Sequence, residues 1–250
     1  MTLAATTHVR TRHPALAAIS HGTSSPQGQR AVSSLVDAVA GRRTALTVHG
    51  GFVDVQQPDV SATLASVADG QPAAVVPLLL SAGYHVHVDL LREVDHASSD
   101  RDAVLGRALG PDDRLVTILR TRLVEAGIRS SDRIVLACAG SSDARAVADC
   151  HEMGERLALA LGRPVRVGFI SAAFPRLEDA VREERQAARR SRVVVSTYLL
   201  APGYFNDLAH LAAADVVTEP LLRADHPVPG ELVELVLDRY DEAARLLDQG

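Results

Sequence analysis

The chain has 250 residues, 47% of them hydrophobic and 23% charged. This is an ordinary globular composition, long enough for one large domain or two small ones. A net charge of −5 excludes a broad basic nucleic-acid footprint, and no run of about 18 apolar residues exists to cross a membrane.

The two cysteines, Cys138 and Cys150, do not form a CxxC pair. So few argue against a disulfide scaffold and fit a reducing, cytoplasmic setting. All 26 basic residues are arginine. GC-rich codon usage is the plain explanation, although the planar guanidinium also suits carboxylate recognition. With a negative overall charge, an anionic ligand has to be met by local arginines.

Residues 1–14 carry no apolar signal-peptide segment and are expected to be a disordered leader. A strand is predicted at Ala15–Ser20, ended by His21-Gly22-Thr23-Ser24-Ser25-Pro26, with a helix from about Gln29 to Ala40. Leu46–Val53 reads as the next strand, and Pro58 opens a helix over roughly Asp59–Ala68. Ala73–Leu80 reads as a third strand, followed by Ser81-Ala82-Gly83 and a helix through about Glu93. Residues 107–129 supply a connecting strand or loop and a helix.

The plan then repeats. Strands are predicted at Arg133–Ala139, Val165–Ser171 and Val193–Leu200, with helices after Asp143 and Pro175 and a last one from about Gly230 to Leu247. The strands are too apolar for one wet face, so the pattern predicts α/β architecture with doubly wound parallel sheets. Gly51-Phe52-Val53 and Pro58 recur as Gly168-Phe169-Ile170 and Pro175, both at an offset of 117 positions. Leu79-Leu80 and Gly83-Tyr84 recur as Leu199-Leu200 and Gly203-Tyr204, at an offset of 120. An internal duplication is expected, with one lobe over 15–128 and a degenerate repeat over 129–250.

Ligands of open parallel sheets bind beyond the carboxyl ends of the strands. Three reactive side chains fall there in the first half: His21 after the first strand, Asp54 after the second and His85 past the third. The matching positions of the second half hold Ala139 for His21 and Phe205 for His85. One lobe is thus expected to hold the chemistry while the other closes the cleft. Each residue also has an ordinary reading, as a strand-end hydrogen-bonding group, a cap or a subunit contact. The small, hydroxylated loop Gly22–Gly28 precedes a helix and is a candidate anion dock through its backbone amides, those of Gly22–Ser25 above all. No GxGxxG, GxSxG or Walker loop is present.

The motifs His21-Gly22-Thr23-Ser24-Ser25-Pro26, Gly51-Phe52-Val53-Asp54 with Pro58, and Val76 through His85 with Asp89 resemble, in that order, those of the CbiX/SirB class II chelatases. The resemblance covers about residues 15–220 and extends to the long, two-lobed form. It implies a chelatase-like fold and insertion of Fe²⁺ or Co²⁺ into sirohydrochlorin, for siroheme or cobalamin. It implies His21 and His85 as metal-holding and catalytic residues and Asp54 as an acidic helper. Gly22, Thr23, Ser24, Ser25 and Gly83 are expected to contact substrate. The metal is then a substrate and no cofactor is permanently bound. The partners are small molecules, not nucleic acid or membrane, and the chain is a monomer or homodimer. The family often has glutamate where this chain has Asp54 and a further acid at Gln57. The competing readings are a non-enzymatic metal or tetrapyrrole carrier and a histidine phosphatase. The second lacks its arginine, since Ser20 precedes His21.

Overall fold

A computed structural model of the chain describes residues 13–81, 84–97 and 102–247. The expected leader lies almost wholly outside them. The first half runs β1 (Ala15–Ser20), α1 (Pro26–Arg42), β2 (Val48–Phe52), α2 (Val60–Ala65), β3 (Ala73–Pro77), α3 (Tyr84–Ala97), β4 (Ala103–Leu105) and α4 (Asp113–Glu125). The second half repeats it as β5 (Arg133–Cys138), α5 (Ala144–Leu161), β6 (Val165–Phe169), α6 (Leu177–Ala187), β7 (Val193–Tyr198), α7 (Tyr204–His210), β8 (Val216–Val217) and α8 (Gly230–Leu247).

Each half forms a four-stranded parallel sheet, ordered β2-β1-β3-β4 and β6-β5-β7-β8. This is the expected doubly wound plan. Both faces of β1 are buried, which is why its sequence reads as an unbroken apolar run. Leu16 and Ala18 join the large central core, whereas Ala15, Ala17 and Ile19 face an outer cluster with Val60 and Leu64 of α2 and Leu90 of α3. In the second sheet, Leu136 and Cys138 enter the same central core, and Val135 and Ala137 face Leu177 and Val181 of α6. Helices α1, α4, α5 and α8 lie between the two sheets. Among the described residues no helix is long and apolar enough to cross a membrane.

The duplication extends to backbone detail. Gly22 and Gly140 have φ of +93° and +95°. Val55 and Ala172 both have positive φ, and both Gln57-Pro58 and Phe174-Pro175 are cis. Phe52 bridges Asp59 as Phe169 bridges Arg176.

The sheets are joined by an exchange of helices. α4 precedes β5 yet packs on β7 and α5, while the final helix, α8, packs back on β3, β4 and α1. Two buried arginines fasten the exchange. Arg122 of α4 donates to Pro220 O at 2.9 Å and Leu221 O at 2.8 Å, past β8. Arg239 of α8 donates to Ala108 O at 2.9 Å and Leu109 O at 3.0 Å, past β4. Each also bonds a glutamate one turn on, Glu125 and Glu242.

Several boundaries differ from the sequence expectation for local reasons. α1 starts at Pro26, three residues early, because Ser25 Oγ accepts Gly28 N at 3.3 Å and Pro26 takes the first helical position. β3 ends at Pro77, which has no N–H to extend the ladder. Strands β4 and β8 and helix α7 are too short to leave a periodic signal.

Candidate active site

β1 lies between β2 and β3, so three adjacent strand ends present His21, Asp54 and the loop into α3 side by side. His21 is the first residue after β1 and is exposed. Its carbonyl accepts Asp54 N at 3.0 Å, and Ser20 O accepts Val53 N at 2.9 Å, so the chain leaving β2 is bonded to the His21 turn. Gly22 is required here. Its φ is positive, and a Cβ would lie 2.0 Å from Asp54 O. The exposed Asp54 carboxylate accepts Val55 N through Oδ1 at 2.7 Å. Among the described residues no hydrogen bond joins it to an imidazole.

His85 falls in the first turn of α3, eight residues past the end of β3. Its side chain and all of Gly83 lie outside what is described. The second lobe has apolar residues at the two matching positions. These, Ala139 and Phe205, pack on one apolar cluster with Val135 and Leu199. Among the described residues no group of three or more His, Cys, Asp and Glu side chains is arranged to cage a metal.

The Gly22–Ser25 loop is internally bonded. Thr23 N donates to Gln56 Oε1 at 2.9 Å, Ser25 N to Thr23 Oγ1 at 3.1 Å and Gly28 N to Ser25 Oγ. Gln29 Nε2 donates to Thr23 O at 2.9 Å. Three amides read from sequence as anion donors therefore already have partners, and Ser24 between them is exposed. The reading of the sequence missed Gln29 and Gln56, since neither falls in a motif. Both line a groove of about 460 Å³ between α1 and β2, together with Ser20, Arg30, Gly50 and Gly51.

The carboxyl ends of the two sheets meet across a tight seam. A Cβ on Gly28 would lie 2.3 Å from Pro202 O, and one on Gly203 would lie 3.1 Å from Thr23 Oγ1. On the other side, Tyr198 Oη donates to Leu80 O at 3.1 Å. Burial pushes the Cys138 thiol and the Tyr198 phenol well above their usual pKa values. Loops leading from β1 and β3 are thereby held against the second lobe.

These features define a class: a duplicated, doubly wound parallel α/β protein with an exposed histidine at the end of its first strand, in one lobe only. The sequence profile of the CbiX family matches residues 15–126 and 133–222. The chain belongs to the CbiX family. It is 25% identical over 121 residues to a sirohydrochlorin cobaltochelatase of Methanosarcina acetivorans, covering 44% of this chain and 93% of that protein. A sirohydrochlorin cobaltochelatase of Sulfolobus acidocaldarius is 24% identical over 108 residues, covering 42% of this chain and 86% of that one. The structure of SirB from Bacillus subtilis with Fe3+ superposes with a TM-score of 0.77 at 20% identity, covering 94% of this chain and 97% of SirB. That of CbiX, the terminal enzyme for biosynthesis of siroheme in denitrifying bacteria, superposes with 0.63 at 18% identity, over 90% and 98%. Both support the two-lobed fold.

Proposed function

We propose that this chain is a sirohydrochlorin chelatase, inserting Fe²⁺ or Co²⁺ into the tetrapyrrole. One observation carries the reading: His21 stands exposed at the end of the central strand, beside the start of the helix bearing His85, and the other lobe has Ala139 and Phe205 instead. Family membership and the names of the relatives support it.

The reaction consumes M²⁺ and a free-base macrocycle and releases the metallated macrocycle and two protons. Imidazole is a borderline ligand suited to both metals and a base near neutral pH. His21 and His85 hold the arriving metal and accept the pyrrole protons. Asp54 has one oxygen committed to Val55 N, so its part in proton transfer falls to the other. The lobe of residues 15–128 carries this chemistry, and that of 129–250 closes the cleft. Gly22, Thr23, Ser24, Ser25 and Gly83 border the macrocycle, whose carboxylates meet hydroxyls and arginines. The metal is a substrate, no cofactor is resident, and the protein works in the cytoplasm on small molecules.

The test is an anaerobic insertion assay with sirohydrochlorin and Fe²⁺ or Co²⁺, following absorbance. Many turnovers are expected, falling by at least about 100-fold in His21→Ala and in His85→Ala, the scale of a lost acid–base group. Stoichiometric pigment or metal binding without turnover means a carrier and sinks the enzyme reading.

A further inference from the structure

We infer that Gln56 and Gln29 are positioning residues: they hold the backbone N–H and C=O of Thr23, in the two peptides flanking its Cα, and thereby fix the turn that aims His21. The inference takes its activity consequence from the chelatase reading. The clamp itself stands on geometry.

Gln56 Oε1 accepts Thr23 N, and Gln29 Nε2 donates to Thr23 O, both at 2.9 Å. One glutamine comes from the segment after β2 and the other from the first turn of α1. Each side-chain amide end is set by its partner, an N–H facing Oε1 and a carbonyl facing Nε2. The two peptides flanking Thr23, two residues past His21, are thus each held by a different element.

The second lobe provides an internal control. It reproduces the backbone bonds of the turn, with one side-chain bond of its own, Ser171 Oγ to Ala139 O at 2.9 Å. Ile170 N donates to Cys138 O at 2.9 Å where Val53 N donates to Ser20 O. Ser171 N donates to Ala139 O where Asp54 N donates to His21 O, and Asp143 N bonds Ser141 Oγ where Ser25 N bonds Thr23 Oγ1. Val147 N donates to Asp143 O as Gln29 N does to Ser25 O, which pairs Gln29 with Val147. Ala173 N donates to Ser171 O as Gln56 N does to Asp54 O, which pairs Gln56 with Ala173. Valine and alanine have no side-chain hydrogen-bonding groups. The turn therefore forms without the clamp, and the clamp is present only in the lobe that carries His21. Holding a reacting group within a few tenths of an ångström of its working position affects turnover more than substrate affinity.

The experiment compares Gln56→Leu, Gln29→Leu and Gln56→Glu with wild type. Glutamate keeps the acceptor that Thr23 N needs, whereas leucine removes it. Steady-state Co²⁺ insertion into sirohydrochlorin is measured alongside hydrogen exchange at the Thr23 amide. Both leucine variants should lower kcat about tenfold with KM for the tetrapyrrole within about twofold, the loss of one part-buried hydrogen bond felt in the transition state. Thr23 exchange should accelerate in Gln56→Leu, and Gln56→Glu should restore both readouts. Equal impairment of Gln56→Leu and Gln56→Glu, a loss confined to KM, or unchanged kcat in the leucine variants overturns the inference. If wild type itself shows no turnover, the chelatase reading fails. The clamp is then decided by Thr23 exchange, accelerated in Gln56→Leu but not in Gln56→Glu if it exists, and unchanged in both if it does not.

Discussion

At the scale of the residue, His21 owes its position to its neighbour. Gly22 lets the chain turn at φ +93° and lets Asp54 O approach where a Cβ would be. Gly22→Ala should therefore cost about 1–3 kcal/mol of stability, the range for a side chain forced into a left-handed conformation against backbone. It should also reduce insertion by separating His21 from the segment after β2. Urea titration and the insertion assay measure the two effects, and an alanine variant of wild-type stability would mean that the turn relaxes freely. His21 and Asp54 were legible in the sequence because polar residues ending apolar strands stand out against them. Gln56 and Gln29 were not, because a side-chain bond to a peptide in another segment leaves no spacing or periodicity. The comparison that shows their asymmetry, with Ala173 and Val147, needs a register that only the matched backbone bonds supply.

At the scale of the element, α1 carries two glycines whose environments differ. Gly41 has nothing within 4 Å of where a Cβ would be, whereas at Gly28 that atom would meet Pro202 O at 2.3 Å and Thr23 Cγ2 at 2.9 Å. Helix propensity alone favours alanine at both, by up to about 1 kcal/mol. Gly41→Ala should accordingly raise the urea midpoint. Gly28→Ala should lower it, since the methyl group wedges apart the seam between the lobes. Stabilisation by both would mean that Pro202 and its loop yield without cost. The sequence made α1 legible through its amphipathic stripe, but not its first turn, which the Ser25 cap and Pro26 set. The six-residue α2 was read because Pro58 and the capping Asp59 mark its start, whereas α7 has no side-chain cap and β4 and β8 hold only three and two residues, too few for a period to show.

At the scale of the whole molecule, the repeat was legible in sequence and the exchange of helices was not. An apolar stripe shows that α4 and α8 bury one face, with Leu115, Ile118 and Leu119 on one and Leu232, Leu235 and Val236 on the other. It carries no information on which sheet receives that face. Because each half supplies a helix to the other's sheet, neither sheet has its full cover without the other half. The protein should unfold in one cooperative transition. The two arginine clasps make this testable from both ends. Arg122 and Arg239 are buried, and each satisfies two carbonyls on the far lobe. Replacing either by methionine keeps much of the apolar stem but orphans those carbonyls, at about 2–3 kcal/mol. Arg122→Met, on α4 of the first half, and Arg239→Met, on α8 of the second, should each move the whole urea transition with near-ultraviolet and far-ultraviolet circular dichroism still coincident. Two separated transitions, with only one displaced by each variant, would mean that the lobes fold independently and that the exchanged helices dock afterwards.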